Sequence, residues 1–263
     1  MVLGMLSYDE LLAYKIYEEP YQQEKDYIEE LFLSGLFNSC NNIVFKGGTA
    51  LAKFYGSNRF SDDLDFSIVL GREEYENIKI KIDKVIKRST EEEPIRILRE
   101  LNGERKLVYE LSIRGPLFER SNKYQHLKIE IGKKEPVLEK PLILRRNPKY
   151  VDIAPYTAIV MNEKEILAEK TVALLYRQNL EARDLYDIYF LLSKGTEIDV
   201  ALLDRKMKMY GRAFNPGRFE LRINKIALIW SKELERLIPK NSFISYAVAK
   251  EKVSRLFEDA GLI

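Results

Sequence analysis

Asp63 and Asp65, one residue apart in the apolar run Leu64–Phe66–Ile68, constrain this chain more than any other feature. Successive side chains of a strand face opposite ways. The alternation therefore puts Asp63, Asp65 and Ser67 on one face and Leu64, Phe66 and Ile68 on the other. The second set is suited to a core, and the first holds two carboxylates side by side. Just upstream, the apolar strand Ile43–Phe45 ends in Gly47-Gly48, and Thr49 is placed to cap a helix over 50–55. A glycine turn opening a helix presents backbone N–H groups to phosphate, and paired carboxylates supply oxygen ligands for the magnesium that accompanies it.

The rest of the sequence reads as an α+β protein. Helical spacing runs over 8–37, and the Asp-x-Asp strand extends over 63–70. Residues 73–101 read as a helix, although 78–82 alternate like a strand. Clean alternation at Leu107, Tyr109, Leu111 and Ile113, and again at Leu127, Ile129 and Ile131, predicts an antiparallel hairpin. One more strand is expected over 152–161. From Glu163 onward the pattern is helical, broken at Gly195 and at Asn215-Pro216-Gly217. The expected organisation is a mixed-sheet domain over 1–162 and a helical domain over 163–263 closing a cleft.

Composition mainly excludes. With 46% apolar and 32% charged residues, the 263-residue chain is globular in character. Its one histidine, His126, and one cysteine, Cys40, argue against most zinc sites and against Ser-His or Cys-His catalysis. No intrachain disulfide is possible. No leader or membrane-span pattern is present, so the expected location is cytoplasmic. A net charge of +2 does not by itself announce a nucleic-acid partner.

Glu130 lies on the non-core face of its strand and is the natural third carboxylate beside Asp63 and Asp65. Three such groups could hold two magnesium ions for in-line displacement at phosphorus. A polar residue on the open face of a strand is also ordinary. Further on, Lys170 falls within the apolar stripe of Ile166, Leu167, Ala173 and Leu174, and Arg177 follows nearly in line. Inward cations need anionic partners, which a cleft holding carboxylates and phosphates would supply. Asp184 and Asp187 fit either a helix-start role or, for Asp184, the orienting of Lys170 or Arg177 or a place near the attacking hydroxyl. Arg59 could meet a phosphate or pair with Asp62-Asp63. Residues 205–225 carry Arg205, Lys206, Lys208, Arg212, Arg218, Arg222 and Lys225 against Glu220, with Tyr210 and Phe214 available to stack on bases.

Six blocks in order resemble the AbiEii/AbiGii nucleotidyltransferase toxin family: EKDY (24–27), FKGGTALxKFYG (45–56), RFSxDLDF (59–66), KIEI (128–131), EILAEKxxALLYR (165–177) and RDLYDIYFLL (183–192). The resemblance implies a nucleotidyltransferase fold with a helical C-terminal domain. It assigns catalytic carboxylates to Asp63 and Asp65, and an essential lysine and aspartate to Lys170 and Asp184. It also implies a cognate antitoxin, and some members of the family transfer nucleotides onto the 3′ acceptor end of tRNA. Gly-Thr stands where the wider superfamily has Gly-Ser, and the gap to Asp-x-Asp is longer.

The function expected is magnesium-dependent transfer of NMP from an NTP to an RNA 3′-hydroxyl. Asp63 and Asp65 would bind metal, with Glu130 completing the site or activating the hydroxyl. Gly47, Gly48 and Thr49 would hold phosphates, and Lys170 and Arg177 would neutralise the pyrophosphate. Two alternatives are transfer onto a protein hydroxyl and a non-catalytic binding module.

Overall fold

The computed structural model describes residues 5–68, 72–90 and 95–263. Two units emerge. The first comprises Met1–Phe54, Asp62–Val137 and Pro141–Val160; the second comprises Tyr55–Ser61, Leu138–Lys140 and Met161–Ile263.

The first unit contains, in chain order, α1 (Tyr8–Ala13), α2 (Pro20–Phe37), β1 (Ile43–Lys46), α3 (Gly47–Phe54), β2 (Asp63–Ile68), α4 (Arg72–Thr90), β3 (Ile95–Asn102), β4 (Lys106–Ile113), α5 (Phe118–Ser121), β5 (Gln125–Gly132), β6 (Leu142–Arg146) and β7 (Tyr156–Val160). The strands form one sheet in the order β3-β4-β5-β2-β1-β7-β6. β2 lies at its centre, antiparallel to β1 and parallel to β5. The β4–β5 hairpin forms as its alternation predicts.

The helix expected over 8–37 is two helices, because Lys15 takes a left-handed conformation (φ 50°) and Pro20 opens α2. Proline suits a first helical position, where no N–H bond is lost. The helix expected over 73–101 stops by Thr90, and residues 95–102 are strand β3; residues 91–94 lie outside the described residues, as do Val69 and Leu70 of the expected 63–70 strand. Edge strand β6 was not foreseen, and the strand expected over 152–161 is shorter, as β7.

The core face of β2 is as its alternation predicts: Leu64 and Phe66 are fully buried. The Phe66 ring lies 5.1 Å from that of Phe45 and 6.2 Å from that of Phe37 on α2. α2 also carries polar residues inward, and every residue from Gln23 to Glu30 is buried. Lys53 of α3 meets Asp26 (2.8 Å), Glu29 (3.1 Å) and Glu30 (3.5 Å) there. Arg146 adds a second cation on Glu30 at 2.6 Å.

The second unit is helical: α6 (Glu163–Tyr176), α7 (Ala182–Lys194), α8 (Val200–Met209), α9 (Pro216–Ile226), α10 (Trp230–Leu234) and α11 (Tyr246–Asp259). Its breaks fall where the sequence marks them. Gly195 ends α7 in a left-handed conformation (φ 96°), and Asn215 caps α9 ahead of Pro216. Among the described residues no helix is long and apolar enough to cross a membrane.

Candidate active site

Register builds the site of the first unit. Lys46 of β1 pairs with Asp65, and Asp65 pairs on its other side with Glu130 of β5, while Asp63 pairs with Lys128. Paired residues share a face, so Lys46, Asp63, Asp65, Lys128 and Glu130 form one charged surface. Its strand residues are only partly buried, unlike the apolar face behind them.

Gly47 closes one side of this surface. Its φ is +78°, and a Cβ there would stand 2.5 Å from Asp65 Oδ2. Both facts demand glycine: a side chain would be strained and would collide with the carboxylate. The helix α3 begins at Gly47, earlier than expected, so Thr49 lies within it. Rather than capping, the buried Thr49 hydroxyl donates to the Asp63 carbonyl at 2.5 Å. This ties the glycine turn to the Asp-x-Asp strand.

Glu130 is engaged by lysines. Lys106 Nζ lies 3.1 Å from both of its carboxylate oxygens, and Lys128 Nζ lies 3.4 Å from Oε2. Burial would raise its pKa, but these cations hold it below the ordinary carboxylate value. Burial would lower the pKa of Lys128, yet Asp63, Glu130 and Asp65 raise it. Lys25 was not singled out from sequence. It is buried on α2, donates to the His126 carbonyl, and feels Asp62 and Asp63; burial still leaves its pKa lowered.

The carboxyl oxygens of Asp63 and Asp65 are the donor type that a hard divalent cation takes, and Gly47 lets the Asp65 carboxylate lie against the glycine turn. The residues therefore fit magnesium as a pair. Among the described residues, no group of three or more His, Cys, Asp or Glu side chains is gathered as a metal site.

In the second unit, Lys170 points inward as its stripe position predicts and is 9% exposed. Its partners are carboxylates of α7: Asp187 Oδ2 at 2.7 Å and Asp184 Oδ1 at 3.3 Å. Arg177 is not on the helical face; it is the residue that ends α6, in extended geometry, and its Nε lies 3.2 Å from Asp184 Oδ2. Asp184 and Asp187 do not cap α7. Asp187 instead holds Arg59 in a two-pronged pair, Nε to Oδ1 at 2.8 Å and Nη2 to Oδ2 at 2.9 Å. The adjacent Arg59 and Lys170 cations outweigh burial and hold Asp187 down to about 2. Of the acids, Arg59 thus meets Asp187 rather than Asp62-Asp63. Its signal, a lone arginine in an otherwise polar loop, does not show which acid it meets.

Several cations of the basic stretch 205–225 have partners in the second unit. Lys206 is buried against Glu165 (2.6 Å) and Glu169 (2.9 Å). Arg205 pairs with Glu139, and Lys208 with Asp204. Arg218 and Arg222 donate at 2.7 Å to the Leu175 and Leu174 carbonyls, the free acceptors at the end of α6. Phe214 is half-buried and packs on Phe219 and Phe257, 5.5 and 6.0 Å away.

Residues 31–245 match the family described as nucleotidyl transferase AbiEii toxin, type IV toxin–antitoxin system. No curated protein matches the chain. Among solved structures, JHP933 from Helicobacter pylori aligns with a TM-score of 0.52 at 17% identity, covering 91% of this chain and 95% of that one. A candidate nucleotidyltransferase from H. pylori aligns with a TM-score of 0.54 at 17% identity, covering 89% and 95%. At that identity the likeness speaks to fold, and it agrees with the mixed-sheet unit and helical C-terminal region expected from sequence.

Proposed function

The chain belongs to the AbiEii family of nucleotidyl transferase toxins of type IV toxin–antitoxin systems, and from that premise we propose that it transfers NMP from an NTP to the 3′-hydroxyl of an RNA, with the tRNA acceptor end as the target. The observation that carries this reading is the Asp63–Asp65 pair on the open face of β2, set against a glycine whose side chain could not be tolerated. Magnesium is bound through one or two carboxylates plus substrate phosphates rather than in an all-protein cage. The aspartate pair suits that mode. When bound, the ion would offset charge developing on the phosphoryl oxygens.

The protein's own groups do the rest. Gly47 and Gly48 open α3 and present N–H groups to phosphate. Thr49 fixes the distance between that turn and β2. Lys128 and Lys106 hold Glu130 ionised beside Asp65, where it can join the metal set or accept the acceptor's proton once a lysine lets go. Lys170, Arg177 and Asp184 are the second unit's proposed functional residues, with Lys170 and Arg177 as the cations for phosphate charge. A family antitoxin is the expected protein partner.

The test is a transfer assay with magnesium, each labelled NTP in turn and total tRNA, beside Asp63→Ala. Label enters RNA with wild-type protein and falls by about 10³-fold in the variant, the scale of losing one charge-stabilising group. Label on protein instead would overturn the RNA acceptor. A folded wild type that binds no NTP would overturn the enzyme mechanism.

A further inference from the structure

One carboxylate beside the aspartate pair has no role in the mechanism above. Glu135 follows β5 in the chain, yet its Oε2 lies 2.6 Å from Lys46 Nζ on β1. The two strands flank β2 on opposite sides, so they are separated by two strand spacings, roughly 10 Å. The position of the carboxylate is fixed at the β5 end. A Cβ on Gly132 would stand 2.9 Å from Glu135 Oε2, so the group rests where a side chain of β5 would be. Lys46 must therefore reach across β2 to meet it. Gly132 pairs with Ser67, and Lys46 pairs with Asp65. The ion pair thus lies over the Asp63–Asp65–Ser67 face of the strand. Beneath it, the Ser67 hydroxyl is fully buried and has no hydrogen-bond partner. An unmet buried hydroxyl is costly, and a ligand oxygen placed over it would relieve that cost.

Resting on the reading that NTP phosphates enter at Gly47–Thr49, we propose that Glu135 is a resident anion occupying the position of the pyrophosphate end of the NTP. Lys46 and the Ser67 hydroxyl are the groups that bind this end when Glu135 is displaced. Chemistry favours the exchange. Glu135 is 37% exposed and Lys46 only 12%, so the acid can swing into water while the lysine stays in place. A phosphate oxygen accepts the same ammonium donor and carries more charge. Magnesium on the aspartates does not relieve Glu135, whose charge would oppose the arriving triphosphate.

The test measures binding of each NTP with magnesium, and of magnesium pyrophosphate, by calorimetry. Glu135→Gln removes the competitor, so binding tightens about threefold to tenfold, the scale of one half-exposed like charge. Lys46→Gln weakens it about tenfold, and in that background Glu135→Gln has no further effect. Ser67→Ala loses affinity severalfold while its Tm is unchanged or higher, because an unpaired buried hydroxyl has gone. Pyrophosphate follows the same order as NTP, which assigns the effect to that end of the ligand. Glu135→Gln binding that is unchanged or weaker overturns the inference while leaving the enzyme reading intact, provided that wild type binds NTP and Asp63→Ala does not transfer. Failure of wild type to bind any NTP overturns both.

Discussion

The first unit holds two clusters of lysines and carboxylates with similar composition and opposite character. On the β2 face, Asp63, Asp65, Glu130 and Glu135 alternate with Lys46, Lys106 and Lys128 in the open, where a ligand can reach them. Around Lys53, the carboxylates of Asp26, Glu29 and Glu30 are enclosed, and Tyr150 and Tyr156 donate to Asp26 and Glu30 at 2.9 Å each. Buried charge is tolerated only when paired and hydrogen-bonded. The enclosed cluster spends its charges on one another and so fixes α2 against α3. The open one holds its ion pairs at a partly exposed surface. Composition does not separate structure from function here; burial does.

The largest effects should come from stripping one member from each cluster. Lys53→Met leaves three buried carboxylates without the cation they share, with Arg146 on Glu30 and Lys25 near Glu29 remaining. It should cost about 3–5 kcal/mol of stability, read in a urea titration. Asp63→Asn should leave the urea midpoint nearly where it was and abolish transfer. If Lys53→Met were as stable as wild type, the enclosed cluster would not be the structural one.

Arg59 sharpens the contrast within the second unit. Arg59→Lys keeps a buried charge opposite Asp187 but loses the two-pronged geometry, in which two parallel N–H bonds meet the carboxylate. A loss of about 1–3 kcal/mol is expected, measured by thermal unfolding. No loss would mean that charge alone, not the fork, holds the loop before Asp62 to α7.

How far these two clusters could be read from sequence follows from their physics. Alternation over 63–68 assigns both faces of β2, because a half-open strand must alternate. The glycine turn and the break residues at 195 and 215–217 are local chemistry and are equally legible. The Lys53 cluster is not, since its members come from α2, α3 and β6 and meet only through packing. Gln23–Glu30 shows the same limit: eight consecutive buried residues, most of them polar, leave no amphipathic signal. Strand β3 was read as helix because tertiary pairing with β4 decides residues 95–102 and local propensity does not. Arg177 was misplaced by projecting a helix one residue past its end. In 205–225 the charge is visible, but the α6 carbonyls and Glu165 that meet Arg218, Arg222 and Lys206 lie elsewhere in the chain.

The smallest effect probes the enclosed cluster by pH. Glu29 is buried, one of its oxygens has no hydrogen-bond partner, and burial pushes its pKa up to about 7 despite Lys53 and Lys25 nearby. Its carboxyl is near the ordinary 4.5 when unfolded. A raised folded-state value means that the folded protein keeps a proton the unfolded chain releases. Its contribution to stability is therefore fullest below about 4.5 and is lost as pH rises to about 7. Glu29→Gln cannot ionise and escapes that loss. The variant should thus gain on wild type between pH 5 and pH 8 by on the order of 1–3 kcal/mol, a few degrees in Tm. Shifts of groups that do not feel Glu29, such as Glu24, cancel in the difference. A Tm difference that stays flat across this window would mean that Lys53 keeps Glu29 ionised throughout, making the enclosed cluster as charged as the open one.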